Sequence, residues 1–425
     1  MNKEAIGAIA FFILSFGLIS RRLEKSVITP PMAYVTFGLL ISSSALGLVT
    51  KIETTNEIIK IVAEITLAVV LFTDASRIQL KQLVREYNLP LRLLGIGLPI
   101  TIILGTIFAS LLFTDLNIWE AAALATILSP TDAALGQAVV NSSRVPVYIR
   151  QGINIESGLN DGICLPILLL FTSLAAEEES GNTAYYWLTF SLQQIIFGAA
   201  VGIAIGYFGS KLITKSVRRQ WMNESFEDLS VLGLSILAYT GAEIIGGNGF
   251  IAAFCAGLTV AAITTKSVLH CLHEFGEAEG QLLTLITFLL YGAVMVIPSL
   301  SQSTWQMWVY AIGSLAVARM FGVAIALFSL QLQLDSILFV GWFGPRGIAS
   351  IVYGLLIIDK DSLQGSNMMF TTMVVTVFIS VFAHGLTAFP GANWYANRIS
   401  NKQDSHSMPE MIPVEEMPVR LPWRK

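Results

Sequence analysis

The sequence predicts an all-α polytopic membrane protein, and three observations carry that reading. Hydrophobic residues make up 54% of the 425-residue chain and charged residues 13%, where soluble domains carry about a quarter charged residues. About thirteen apolar runs have the length needed to cross a bilayer. Two of them, the fifth and the twelfth, are broken in the middle, by Ser129-Pro130-Thr131-Asp132 and by Gly344-Pro345-Arg346-Gly347.

The composition also excludes several classes. No basic patch with interleaved aromatics suggests nucleic acid, and the net charge of −4 says nothing about partners. Cys164, Cys255 and Cys271 show no paired spacing, so neither a disulfide framework nor a zinc site is expected. The first run, Ala5–Ser20, has the length of a signal peptide but no basic leader or small-residue cleavage site, and reads as a span.

The runs lie near 5–20, 30–49, 58–73, 91–113, 119–141, 152–175, 185–210, 229–245, 250–265, 281–300, 305–330, 335–358 and 369–396. With the N-terminus outside, 19 of the 25 Lys and Arg residues fall in inward loops and the C-terminal tail. The acidic run Glu177-Glu178-Glu179 falls outside. This alternation fixes an odd number of spans and a cytoplasmic C-terminus.

Asp74 ends the third span, and Ile78–Asn88 reads as a short interfacial helix stopped before Pro90. Asp74 has two readings, a cap of that helix or a carboxylate on an ion path. Glu64 and Glu243 lie near the outer face and read as hydrated, hydrogen-bonded groups. His384 reads as a neutral packing residue with a proton relay as the alternative, and His270 and His273 as cytoplasmic. Residues 398–425 carry four prolines and read as a short, mostly disordered cytoplasmic tail behind a transmembrane domain of residues 1–397.

The fifth, sixth and twelfth spans hold the chemistry. An ionisable side chain at mid-membrane costs roughly 2.5 kcal/mol or more, so each is a functional-site candidate. Pro130 frees a backbone carbonyl beside Thr131 and Asp132. Such backbone survives in a membrane only where it is buried in protein or lines a cavity. The fifth and twelfth spans stand seven crossings apart and so run in opposite directions, the pattern of broken helices in inverted halves of a transporter. On the sixth span Ser157 and Asp161 share one face and Glu156 and Asn160 another, about 100° apart. Ser157 and Asp161 can then look toward Asp132. Arg319, mid-span in the eleventh run, needs a carboxylate, and Glu156 is the intramembrane acid without another task. Arg346 stands where two half-helix ends meet and would offset the negative end of one of them. Two carboxylates in a partly dry site repel one another, and either a proton or a dehydrated cation relieves that repulsion, so the two compete. Oxygen ligands for a hard monovalent cation would come from Asp132, Asp161, Ser157 and the Thr131 carbonyl.

Thr131-Asp132, Glu156, Asn160-Asp161, Gly247-Asn248-Gly249-Phe250-Ile251-Ala252-Ala253-Phe254 and Gly344-Pro345-Arg346-Gly347 fall in an order that resembles the monovalent cation/proton antiporters of the NhaP and Na+/H+-exchanger type. The resemblance covers nearly the whole chain. It implies an NhaA-like antiporter fold: inverted repeats of spans 1–6 and 8–13 with span 7 between them, and two discontinuous crossing helices. The ion-carrying core would occupy about 91–175 and 305–397, and the scaffold, with a homodimer interface, about 5–73 and 185–300. It supports the Glu156–Arg319 pair and admits an acid at Asp74. Related electrogenic exchangers carry Asp-Asp where Asn160-Asp161 stands here, and lysine in place of Arg319. Asparagine does not titrate and arginine keeps its proton, so both routes for a second proton are closed. The expected activity is electroneutral exchange of one H+ for one Na+ or Li+ by alternating access, with no cofactor beyond the transported ions. K+/H+ exchange is the alternative, and a cation channel a further one. The expected setting is the lipid bilayer of a bacterial-type inner membrane. An intramembrane aspartyl protease would show Tyr-Asp and Gly-x-Gly-Asp, and neither occurs; a sensor would need a signalling domain.

Overall fold

In a computed structural model, the structure describes residues 3–23, 26–49, 57–78, 88–132, 135–180, 184–264, 280–358, 363–401 and 408–412. The helices are α1 (Lys3–Leu23), α2 (Pro30–Ile41), α3 (Glu57–Ser76), α4 (Asn88–Leu112), α5 (Ile118–Ile127), α6 (Gln137–Val140) and α7 (Val147–Ser180). They continue with α8 (Ala184–Arg218), α9 (Glu224–Ile244), α10 (Gly249–Ile263), α11 (Gly280–Gln302), α12 (Trp305–Leu330), α13 (Leu334–Trp342), α14 (Ile348–Ile358) and α15 (Ser366–Ser400). Among the described residues there is no β-strand, only a bridge between Ser42 and Val49.

Among the described residues, seven helices are long and apolar enough to cross a membrane, and shorter apolar helices, with α3, correspond to the other expected segments. The fifth segment is α5 plus α6 and the twelfth is α13 plus α14, each broken where the sequence places its proline. The second helix stops at Ile41 instead of running on to 49, because Ser42–Ser44 lead into a turn that needs Gly47 at φ +67°. The interfacial helix expected at 78–88, together with His270 and His273, lies outside the described residues apart from Ile78 and Asn88.

Small residues set the closest packing. Gly198, Gly202 and Gly206 of α8 present bare backbone to Asn248, Ala252 and Ala256 of α10, where any Cβ would overlap. Close helix approach of this kind is how membrane helices associate. Asn248 caps α10 by accepting from the Phe250 and Ile251 amides at 3.0 and 3.1 Å. In Gly247–Phe254 the cap accounts for Asn248, and a Cβ on Gly247 or Gly249 would overlap Gly198 or the Tyr239 ring, so these read as structural residues.

Helices α4, α5, α7 and α12–α15 pack around the two breaks. Helices α4, α11 and α12 each contain a π-helical stretch, Leu93–Gly97, Tyr291–Val296 and Gly313–Ala318. The last of these immediately precedes Arg319. Such bulges re-aim the residues that follow and are frequent at functional sites.

Candidate functional site

The two broken segments cross, and each supplies the charge that caps the other. Helix α5 ends at Ile127 because Pro130 has no amide to continue it; α13 ends at Trp342, and Phe343–Gly347 run without helical structure. At the crossing the Asp132 amide donates to the Pro345 carbonyl at 2.7 Å. The Asp132 carboxylate accepts from the Ile348 amide at 3.2 Å, on the N-terminal turn of α14. In return, Arg346 Nη1 donates to the Ser129 and Pro130 carbonyls at 2.7 and 3.2 Å. Ser350 Oγ donates to the Ile127 carbonyl at 2.7 Å, closing another open end of α5. A carboxylate at a helix N-terminus and a guanidinium at a C-terminus are each the favourable sign.

Arg346 is fully buried, and its amide donates to Ser380 Oγ at 2.6 Å. Ser380 in turn meets His384 Nδ1 at 3.1 Å, and the His384 ring lies on Trp342 with centroids 5.0 Å apart. His384 is therefore built into the support of the twelfth break.

Helix α7 closes the site from the other side. Ser157 Oγ donates to the Thr131 carbonyl, and Asn160 Nδ2 to Thr131 Oγ1, both at 2.7 Å. The Thr131 carbonyl, open because the helix ends at Ile127, is thus engaged by a hydroxyl. Ser157 and Asn160, three residues apart, both reach Thr131, so the face expected to turn away reaches the break as well. Asn160 Oδ1 is buried without a hydrogen-bond partner. Asp161 stands one turn beyond Ser157, 8% exposed, and its carbonyl accepts from Tyr353 OH at 2.5 Å. Tyr353 lies on α14, so α7 and the twelfth segment are tied directly.

Glu156 points to Arg319. Arg319 Nη2 donates to Glu156 Oε2 at 2.7 Å and Nη1 donates to Oε1, and both side chains are 2% exposed. Gly344 lies against Arg319 and Thr131, and a Cβ there would sit 2.6 Å from Arg319 Nε. A Cβ on Gly347 would overlap the Asp132 carboxylate.

Asp74 lies in the last turn of α3. Its Cβ stands 3.5 Å from where a Cβ on Gly158 would be, and Arg77 Nη1 is 3.9 Å from its carboxylate. The structure thus places a third carboxylate beside α7, next to Ser157 in sequence register. Glu64 accepts from Tyr239 OH at 3.1 Å and Glu243 from the Gly249 amide at 2.8 Å, both away from the crossing.

Sequence reasoning passed over Tyr353, Ser350 and Ser380. The signal available was weak: Ser350 and Tyr353 are the polar members of an otherwise apolar helix, three residues apart on one face.

Comparison with known proteins bears on the family and the fold. The family profile described as "sodium/hydrogen exchanger, transmembrane" matches residues 7–394. A probable Na+/H+ antiporter of Schizosaccharomyces pombe is 27% identical over 316 residues, covering 70% of this chain and 41% of that protein. A K+/H+ antiporter, NhaP2, of Shewanella is 22% identical over 326 residues, covering 76% of this chain and 56% of its own length. The chain thus spans about half the length of these curated relatives. The solved structure of the sodium proton antiporter MjNhaP1 from Methanocaldococcus jannaschii superposes with a TM-score of 0.75 at 20% identity, over 94% of this chain and all of that one. With a fission-yeast protein among the relatives, the expectation of a bacterial-type membrane gains no support from them.

Proposed function

The chain belongs to the sodium/hydrogen exchanger family, and on that premise we propose that it exchanges a monovalent cation for a proton across the membrane. The observation that carries the reading is Thr131, held by Ser157 and Asn160 of α7 while the next residue, Asp132, is held by the twelfth segment. One small frame thereby carries Asp132 of the fifth segment's break and Asp161 of α7, at a place where backbone is unwound.

In this reading the cargo cation sits among Asp132, Asp161, Ser157 and Thr131. Two carboxylates there repel one another, and a proton or a cation relieves the repulsion, one largely excluding the other. Loading with either therefore stabilises the core in a form that turns toward the opposite side, by movement of the helices around the crossing against the rest. Glu156, Arg319 and Arg346 hold the frame by ion pairing and helix capping and do not touch the ion. Asp74 flanks the same face of α7 and would line the way to the site.

The exchange is one proton for one Na+ or Li+. Asn160 adds no proton, and Arg319 is engaged at both ends of Glu156. K+ is the second reading, favoured by the K+/H+ antiporter among the relatives. The N-terminus lies outside, as the distribution of Lys and Arg favours, and the protein works as a homodimer.

The test is dequenching of a pH dye in everted vesicles on addition of Na+, Li+ or K+. The wild-type chain should dequench with Na+ and Li+, and Asp161→Asn and Asp132→Asn should not. Dequenching by K+ alone would reassign the cation, and persistence in either variant would overturn the shared site.

A further inference from the structure

The N-termini of α5 and α13 begin the two broken segments, on opposite sides of the protein, and both are capped by a carboxylate. At α5 the cap is local. Asn117 accepts from the Glu120 amide at 2.8 Å, and Glu120 Oε2 accepts from the Asn117 amide at 3.1 Å. This is a capping box, with both partners within one turn. Glu120 Oε1 also accepts from the Gly365 amide at 2.8 Å, where α15 begins.

At α13 the same place in sequence cannot do this. The N-cap is Gln333, its side chain makes no cap, and the third helical residue is Ser336. The carboxylate comes instead from the tail, 77 residues later. Glu410, on the 3₁₀ turn Pro409–Met411, accepts from the Gln333 amide and from Ser336 Oγ, both at 2.7 Å. Ser336 Oγ also meets Tyr395 OH at 2.9 Å, near the end of α15. Each end of α15 is therefore tied to the start of a broken segment, the first by Glu120 and the second by Tyr395 meeting the same Ser336 hydroxyl that donates to Glu410. Glu410, Ser336 and Tyr395 are all fully buried. The turn also packs against the start of α7, the helix of Asp161. So five residues of the tail, read from composition as disordered, form a docked turn. No local pattern announces a cap that arrives from so far along the chain.

We propose that Glu410 is a positioning residue for transport: the tail supplies the cap that α13 lacks and clips α13 to α7. The elements it joins, α13 and α7, both belong to the group around the crossing, so the clip tightens that group. Capping α13 steadies the half-helix that leads into Phe343–Gly347, and with it Arg346. The transport consequence rests on the antiport reading, whereas the cap itself does not.

Two measurements on the purified full-length protein separate these. Hydrogen exchange of the amides from Gln333 to Ile337 is followed in wild type, Glu410→Ala, Glu410→Gln and a chain ending at Asn401. Loss of the cap should speed exchange there about five-fold, with Ile118–Ile127 unchanged as proof of folding. Glu410→Gln, which keeps the acceptor oxygen, should stay within about two-fold of wild type. In proteoliposomes Glu410→Ala should lower the maximal exchange rate about three-fold or more while the cation KM stays put, with Glu410→Gln restoring the rate. Unchanged exchange at 333–337, a KM shift without a rate change, or faster transport on removing the tail would each overturn the proposal. If the wild-type chain moves no protons on cation addition, the antiport reading has failed and the amide exchange alone decides the cap.

Discussion

Arg319 grips Glu156 through both terminal nitrogens, where neither side chain is more than 2% exposed. A buried pair of this geometry is costly to break from one side, because the remaining charge loses its partner in a dry place. Arg319→Ala or Glu156→Gln should each cost about 3–5 kcal/mol, read as a fall in the midpoint of unfolding in detergent. Replacing both with Leu and Met should recover most of it. A single variant that loses less than about 1 kcal/mol would show that the pair does not hold the site together.

Gly347 has no room for a side chain, since its Cβ would overlap the Asp132 carboxylate. Gly347→Ala should therefore push the crossing apart and lower the transport rate about tenfold or more. Gly233→Ala is the control, because nothing lies within 4 Å of that Cβ. Equal transport by the two variants would remove the crossing from the argument.

Tyr353 donates to the backbone of Asp161 at 2.5 Å. Tyr353→Phe keeps the ring and removes the bond, worth about 0.5–1.5 kcal/mol. The expected result is a few-fold loss in apparent cation affinity with the protein still folded, measured as KM in proteoliposomes. An unchanged KM would mean that Asp161 is positioned by α7 alone.

Stoichiometry gives a further prediction. With Asn160 unable to titrate and Arg319 held by Glu156, turnover should not respond to an imposed membrane potential. A rate that rises or falls as the potential is stepped would show that net charge crosses in each cycle.

Much of the frame was legible because it is made of local signals. Apolar runs of spanning length, charges between them, and Pro130, Gly344 and Pro345 inside them mark the spans and the breaks without any tertiary information. What joins the breaks was not legible. The exchange of caps between Asp132 and α14 and between Arg346 and α5 depends on two segments meeting more than 200 residues apart. The π-helical stretch before Arg319 slips the hydrogen-bond pattern and leaves no mark in composition. The engagement of the Thr131 carbonyl by Ser157 follows from how α7 leans on α5, which helical periodicity on α7 alone does not contain.

The most direct measurement is the dependence of the cation KM on pH in proteoliposomes, with Asp132→Asn and Asp161→Asn alongside. If one proton and one cation take turns between these two carboxylates, KM for Na+ should rise about tenfold per pH unit on the acidic side, at constant maximal rate, and both variants should be silent. A KM that ignores pH while only the maximal rate changes would place the proton somewhere else and contradict the account.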